Sequence, residues 1–87
     1  MANVCRANKD TAGGTILVGS STVTIDGFPV ALEGDVIQRH GNNEHQNAKV
    51  VGGTNKFIVD GKRVCISGVS KGTCGHVAVS DSSVSIG

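Results

Sequence analysis

The chain contains no Trp and no Tyr, and its only aromatics apart from histidine are Phe28 and Phe57; Pro and Met occur once each. An interior without large rings has to be filled by Val, Ile, Leu and Ala. A domain of 87 residues buries only roughly 60% of the surface its unfolded chain exposes, so that interior is thin. Small cores of this kind commonly need a staple. Three cysteines are an odd number in unlike surroundings, which argues against a disulfide framework and for a metal in that role. Charge of one sign is missing too: eight Lys and Arg against seven Asp and Glu give a net charge of +1, with no basic run and no aromatic ladder. Nucleic acid is therefore not an expected partner. No segment approaches the ~20 apolar residues of a membrane-spanning helix, and Met1-Ala-Asn-Val-Cys-Arg-Ala lacks the apolar centre of a signal peptide. The expectation is a protein made in the cytoplasm that leaves, if it leaves, by a carrier other than the general secretory route. Finally, no stretch shows a 3.6-residue apolar period, so no long helix is expected.

What is present is glycine, thirteen of it, interspersed with Val, Ile, Thr and Ser: a composition of short strands and tight turns. The clearest element is Thr22-Val-Thr-Ile25-Asp26-Gly27-Phe28-Pro-Val-Ala-Leu32. Asp-Gly between two strand-like runs suits a two-residue type I′ turn, because both central positions need positive φ. Pro29, without an amide hydrogen, marks an edge or non-bonded position just past that turn. The same element returns 34 residues later as Lys56-Phe-Ile-Val59-Asp60-Gly61-Lys-Arg-Val64-Cys-Ile66. At that offset Gly19 matches Gly53, Asp26 matches Asp60, Gly27 matches Gly61, Val30 matches Val64 and Gly34 matches Gly68. Five identities around one turn point to an internal repeat. A third, truncated copy, Ser82-Ser-Val84-Ser-Ile86-Gly87, echoes Ser20 to Ile25 and stops where its turn would begin. A glycine corner, Thr11-Ala12-Gly13-Gly14-Thr15-Ile16, resembles Thr73-Cys74-Gly75-His76-Val77. The reading is an all-β fold: one small domain over 1–87, with a lead at 1–9, three pseudo-repeated hairpin units at about 14–35, 48–68 and 74–87, and a zinc staple.

All three histidines and one cysteine fall into two short polar stretches, His40-Gly-Asn-Asn-Glu-His45 and Cys74-Gly-His76, with 28 residues between them. Zinc(II) favours four nitrogen or sulfur ligands, and two ligand pairs joined by a long loop is a usual way to supply them. The first hypothesis is therefore one tetrahedral zinc site of His40, His45, Cys74 and His76. Against it stands the reading of His40 and His45 as solvated loop residues and Cys74 as a small buried hydrophobe. Glu44 could hydrogen-bond a ligand imidazole, although a solvated carboxylate is the simpler reading. Cys65 aligns with Ala31 and reads as a small core residue; Cys5 lies outside the repeats and has no assigned role.

The segment Gly19-Ser-Ser-Thr-Val-Thr-Ile-Asp-Gly-Phe-Pro29-Val-Ala-Leu-Glu-Gly34-Asp35, followed by a polar loop, a second hairpin and a Cys-Gly corner, resembles the PAAR-repeat family over about residues 10–87. The match is close in the first copy and looser in the second, where Lys62-Arg63-Val64-Cys65 replaces the family's Pro-Ala-Ala-Arg-like stretch. The resemblance implies a small β-rich cone that caps the trimeric β-helical spike of a contractile injection machine, in a type VI secretion system or a phage tail baseplate. It implies a structural zinc near the apex held by three His and one Cys, a membrane-piercing role, and no catalysis. One departure matters: the family often carries a histidine in the first corner, where this chain has Ala12, and His76 is its natural replacement.

Four protein ligands leave no open coordination position, which argues against a zinc hydrolase, and no carboxylate is seen to orient a Cys74/His76 nucleophile pair. The rival to a piercing tip is a zinc-stapled adaptor that carries an effector on the spike; no toxin domain is read in this chain, and a separate cargo would have to be encoded elsewhere. The short chain and the departure at Ala12 lean toward a phage virion. Val23, Ile25, Phe57, Val59, Val84 and Ile86 occupy equivalent positions and are either a docking face for a three-fold partner or simply the core. Phe28, beside its turn, is either a contact or a lid.

Overall fold

Two Asp-Gly turns define the first two units. A computed structural model describes residues 2–86 and, for Glu44, the backbone alone. In it Asp26 and Gly27 have φ of 55° and 86°, and Asp60 and Gly61 have 52° and 78°, as type I′ turns require. The first turn joins β4 (Thr24–Ile25) to β5 (Phe28–Pro29), and the second joins β7 (Thr54–Val59) to β8 (Lys62–Val64). Both pairs are antiparallel. The third hairpin draws its strands from opposite ends of the chain: β1 (Ala2–Asn3) pairs with β10 (Ser85–Ile86), Ala2 opposite Ile86. The lead at 1–9 thus contains the return strand of the truncated copy. The sequence shows the outgoing strand of that unit because Ser82–Ile86 resembles Ser20–Ile25, whereas Ala2–Asn3 carries no trace of its partner.

The three units close on one another through a ring of main-chain hydrogen bonds. Cys5 N–H donates to the carbonyl of Cys65, Cys65 N–H to that of Ala31, and Ala31 N–H to that of Cys5, each at 2.9 Å. The bridges Val4–Ile66, Arg6–Val30 and Leu32–Val64 flank this ring. Equivalence persists three residues on, where Asn8, Gly34 and Gly68 all adopt positive φ (65°, 95° and 78°). It persists again in the side chains that accept the N–H of residue 6, 32 or 66: Asp10 at 2.7 Å, Asp35 at 2.7 Å and Ser70 at 2.9 Å.

Two apolar layers lie on either side of the ring. One comprises Val4, Ile25, Val30, Leu32, Val59, Val64 and Ile66, with Ala2, Val23, Phe57 and Ile86 half-buried against it. The other comprises Ala12, Ile16, Ile37, Ala48, Val50 and Ala78 with the ring residues Cys5, Ala31 and Cys65, and Cys74 packs against it. The body measures 32 × 23 × 23 Å, with equal minor extents as expected of three like units around a long axis. Of the six apolar hairpin positions named from the sequence, Ile25 and Val59 are core, Val23, Phe57 and Ile86 are half-buried, and Val84 is exposed. Phe28 is half-buried. No α-helix occurs among the described residues; a single 3₁₀ turn covers Asn43–His45.

Candidate metal centre

Beyond the second layer each unit makes a corner. The first is the tight turn from β2 (Thr11–Ala12) to β3 (Gly14–Thr15). The second opens into the long loop 38–47, whose neck is closed by Ile37 N–H donating to Ala48 O at 2.9 Å. The third follows β9 (Lys71–Gly72), which pairs with β6 (Val50–Val51), and closes where Gly72 N–H donates to His76 O at 2.8 Å.

Within the long loop, His40 N–H donates to His45 O at 3.1 Å, and His45 N–H donates to Asn42 O, also at 3.1 Å, across the 3₁₀ turn. These two bonds bend the loop so that both imidazoles face the same way. In the third corner Gly75 takes φ +98° and donates to Gly72 O at 2.9 Å; the reversal places Cys74 and His76 side by side. Thr73 N–H to Lys49 O (2.9 Å) and Lys49 N–H to Thr73 Oγ1 (3.2 Å) stitch the neck of the long loop to this corner.

As a result one donor atom from each of His40, His45, Cys74 and His76 lies within 4.8 Å of the others. His40 Nε2 is 3.1 Å from both His76 Nδ1 and His45 Nδ1, and Cys74 Sγ is 3.3 Å from His40 Nε2 and 3.4 Å from His76 Nδ1. A tetrahedral zinc with bonds of about 2.0–2.3 Å spaces its ligand atoms about 3.3–3.6 Å apart, so these four edges agree to within a few tenths of an ångström, and all six lie within 4.8 Å. The rings are tilted at 40–66° to one another with centroids 4.9–5.0 Å apart, which is convergence of ring edges and not stacking. His40 Nδ1 sits 2.9 Å from the carbonyl oxygen of Gln38, an acceptor. That nitrogen therefore holds the proton, and Nε2 offers a lone pair to the centre, as a ligating histidine is normally arranged. Ring N–H groups and the thiol can satisfy some of these contacts as hydrogen bonds, whereas a cation would be joined by the lone pairs of all four groups at one point. The donor set fits a metal ion.

The first corner contributes no donor and yet forms a wall of the site. A Cβ on Gly13 would fall 2.2 Å from His76 Nδ1 and 2.7 Å from His40 Nε2; one on Gly14 would fall 2.2 Å from Gln38 O and 2.9 Å from His40 Nδ1. Ala12 beside them is fully buried in the second layer. No side chain fits at 13 with the histidines in place.

Comparison with known families decides what this arrangement belongs to. The model of the PAAR motif family matches residues 6–80 of the 87. The chain belongs to the PAAR motif family. Among curated proteins no sequence matches. PAAR proteins are structural spike tips of contractile injection systems, and membership associates the chain with binding to a spike protein and with a secretion-system or phage tip. His40, His45, Cys74 and His76 could hold a metal ion in this member. All four residues named from the sequence come together; Gly13, Gly14 and Gln38, which shape and orient them, were not singled out. The visible signal for the first two was the likeness of Gly13-Gly14 to the Gly75-containing corner. Gln38 acts through its carbonyl, and a main-chain group leaves no mark in a sequence. The Glu44 side chain, considered as a partner for an imidazole, lies outside the described residues.

Proposed function

We propose that this chain is the tip that caps the trimeric central spike of a contractile injection machine, a phage tail or a type VI secretion system, and sharpens it for entry into a target membrane. We propose further that its end is stapled by one structural Zn2+ on His40, His45, Cys74 and His76. The observation that carries the reading is the convergence of four soft or borderline donors from two separate corners of a three-unit body. At that end there is little apolar matter to pack, and what there is consists largely of alanine and small aliphatic residues. A metal supplies the cohesion that a thin layer of methyl groups does not; structural zinc sites in small peptides are worth an apparent ~10–16 kcal/mol. In this reading the metal ties the middle of the chain to its end.

The residues have separate tasks. His40, held by Gln38, and His45, turned by the 3₁₀ bend, present two imidazoles; the Gly75 reversal presents Cys74 and His76. With four protein ligands a tetrahedral ion has no position left for water or substrate, so the function is structural. The opposite layer presents three hairpins, with Val23 and Phe57 half-buried and Val84 exposed at equivalent places, and such a set of hairpins suits a three-fold partner.

Metal analysis of purified protein is expected to give about one zinc per chain, lost in the His40→Ala/Cys74→Ala double variant together with a large fall in Tm. Purified protein that carries no metal, or a double variant as stable as the unaltered chain, would sink the stapled end. Mixed with a trimeric spike protein, the chain is expected to bind as one copy per trimer; binding only to an effector, with no affinity for a spike, would favour the adaptor.

A further inference from the structure

The ring at the middle of the molecule carries two cysteines that the metal centre does not use. The flanking bridges Val4–Ile66, Arg6–Val30 and Leu32–Val64 put Cys5, Ala31 and Cys65 directly opposite one another, pair by pair, in antiparallel register. Directly opposed antiparallel residues have Cα atoms about 4.5–5.5 Å apart, inside the roughly 4.4–6.8 Å that a disulfide spans. All three residues are fully buried and belong to the same apolar layer, so their side chains leave the ring on the same side. Both thiols are free and buried, and the neighbouring Cys65 together with burial pushes the Cys5 thiol far above its ordinary range.

We propose that Cys5 and Cys65 are a disulfide site, a dithiol that closes into a covalent latch between the N-terminal strand and the second unit when the chain meets a small-molecule disulfide oxidant. The exchange is balanced as follows. The Cys5 thiolate attacks one sulfur of oxidised glutathione and releases one glutathione thiolate; the Cys65 thiolate then displaces the second glutathione from Cys5. Two protein thiols are oxidised to one disulfide, one glutathione disulfide is reduced to two thiols, and the two cysteine protons end on the glutathiones. A thiol buried and raised in this way does not react from the closed fold, so the latch forms during folding or when β1 detaches from β10. A reducing cytoplasm keeps it open, and an oxidising compartment closes it. The location explains what the bond would do. β1 and β10 come from opposite ends of the chain and pair with each other, and the latch fixes the seam at which the three-unit closure is not continuous in sequence. The third ring position is Ala31, so the ring holds one pair and no surplus thiol.

The test uses the full chain with zinc present, refolded in parallel in oxidised glutathione and in dithiothreitol, then alkylated in denaturant and mapped by mass spectrometry. The expected result is a Cys5–Cys65 cross-linked peptide in the oxidised sample alone, with Cys74 not cross-linked to either, and a Tm higher by roughly 10–20 °C than in the reduced sample. Cys5→Ala and Cys65→Ala, which copy the residue found at Ala31, are expected to abolish that Tm difference and leave the metal content unchanged. Free Cys5 and Cys65 thiols after oxidative refolding, a bridge to Cys74 instead, or an unchanged Tm in the cross-linked chain would each overturn the latch. If the alanine variants fail to fold, the peptide map of the unaltered chain still decides.

Discussion

The first and third corners have the same backbone job and opposite chemistry. Both reverse the chain beyond the second apolar layer, yet the segment 12–14 offers a buried methyl group and two bare glycines, while 72–76 offers a thiol and an imidazole. The bare corner is as necessary as the loaded one, because the volume that a side chain at Gly13 would need is taken by His76 and His40. The three-fold plan fixes shape, and each unit decides separately what chemistry to mount on it.

The same contrast runs through the ring. Asp10 and Asp35 accept the equivalent main-chain N–H at the same 2.7 Å. Arg6, buried, adds its guanidinium to Asp10 at 2.9 Å and also reaches Asp26 at 2.9 Å and Asp81 at 2.5 Å. Burial opposes ionisation of Asp10, but hydrogen bonds from Arg6 and Ser80 outweigh it and hold the carboxyl below its ordinary range. The residue equivalent to Arg6 beside Asp35 is Leu32, and there burial wins and raises the carboxyl. In the third unit the pair is Ile66 and Ser70, without charge on either.

The largest effect expected from breaking the corner comparison is at Gly13. Gly13→Ala introduces one methyl group onto two donor nitrogens and strains a φ of +90°, so zinc affinity measured by competition with a chromogenic chelator is expected to fall by 100-fold or more, that is at least about 3 kcal/mol. Gly27→Ala, at the same sign of φ with open space around it, serves as the control and should leave affinity unchanged. Equal affinities in the two variants would show that the first corner is not a wall of the site.

Next in size is Arg6→Leu, which copies Leu32 and strands Asp10 in the interior. Denaturant unfolding is expected to show a loss of about 3–5 kcal/mol. Adding Asp10→Ser, to copy the Ile66/Ser70 pair, is expected to recover most of it; no recovery would mean that the three units are not interchangeable here.

A smaller effect is pH-dependent. Asp10 has a folded pKa below its unfolded one, so its contribution is fully present above the unfolded value, about 3.9, and is lost as pH falls through the folded value. Asp35 has a raised folded pKa, so it carries a penalty above that value which is relieved as pH falls through it. Stability measured from pH 6 downwards should therefore lose its acid slope partly in Asp10→Asn and acquire a steeper one in Asp35→Asn. The same change of slope in both variants would contradict the contrast.

The smallest expected effect lies at Val18. It takes φ 78°, as does Gly52 at the 34-residue offset, but a β-branched side chain is disfavoured there. Val18→Gly relieves ~1–2 kcal/mol of strain and returns about 0.5–1 kcal/mol through the more flexible unfolded chain. A modest rise in Tm is expected, and a fall would show that the exposed Val18 side chain makes up for its own strain.

The sequence by itself determined the two Asp-Gly hairpins, their repeat, the absence of a long helix among the described residues and the four residues that come together as a candidate metal site. Each of these depends on local backbone chemistry or on the identity of a rare residue type, and both are written in the order of letters. The tertiary structure alone decided that Ala2–Asn3 completes the third hairpin, that Cys5 faces Cys65, that Gly13 walls a site to which it donates nothing, and that Arg6 gathers three carboxylates. These depend on closing the chain upon itself, where residues as far apart as Ala2 and Ile86 become neighbours. Position along a chain carries no record of such contacts, and what matters in them is the space and the main-chain groups that neighbours leave to one another.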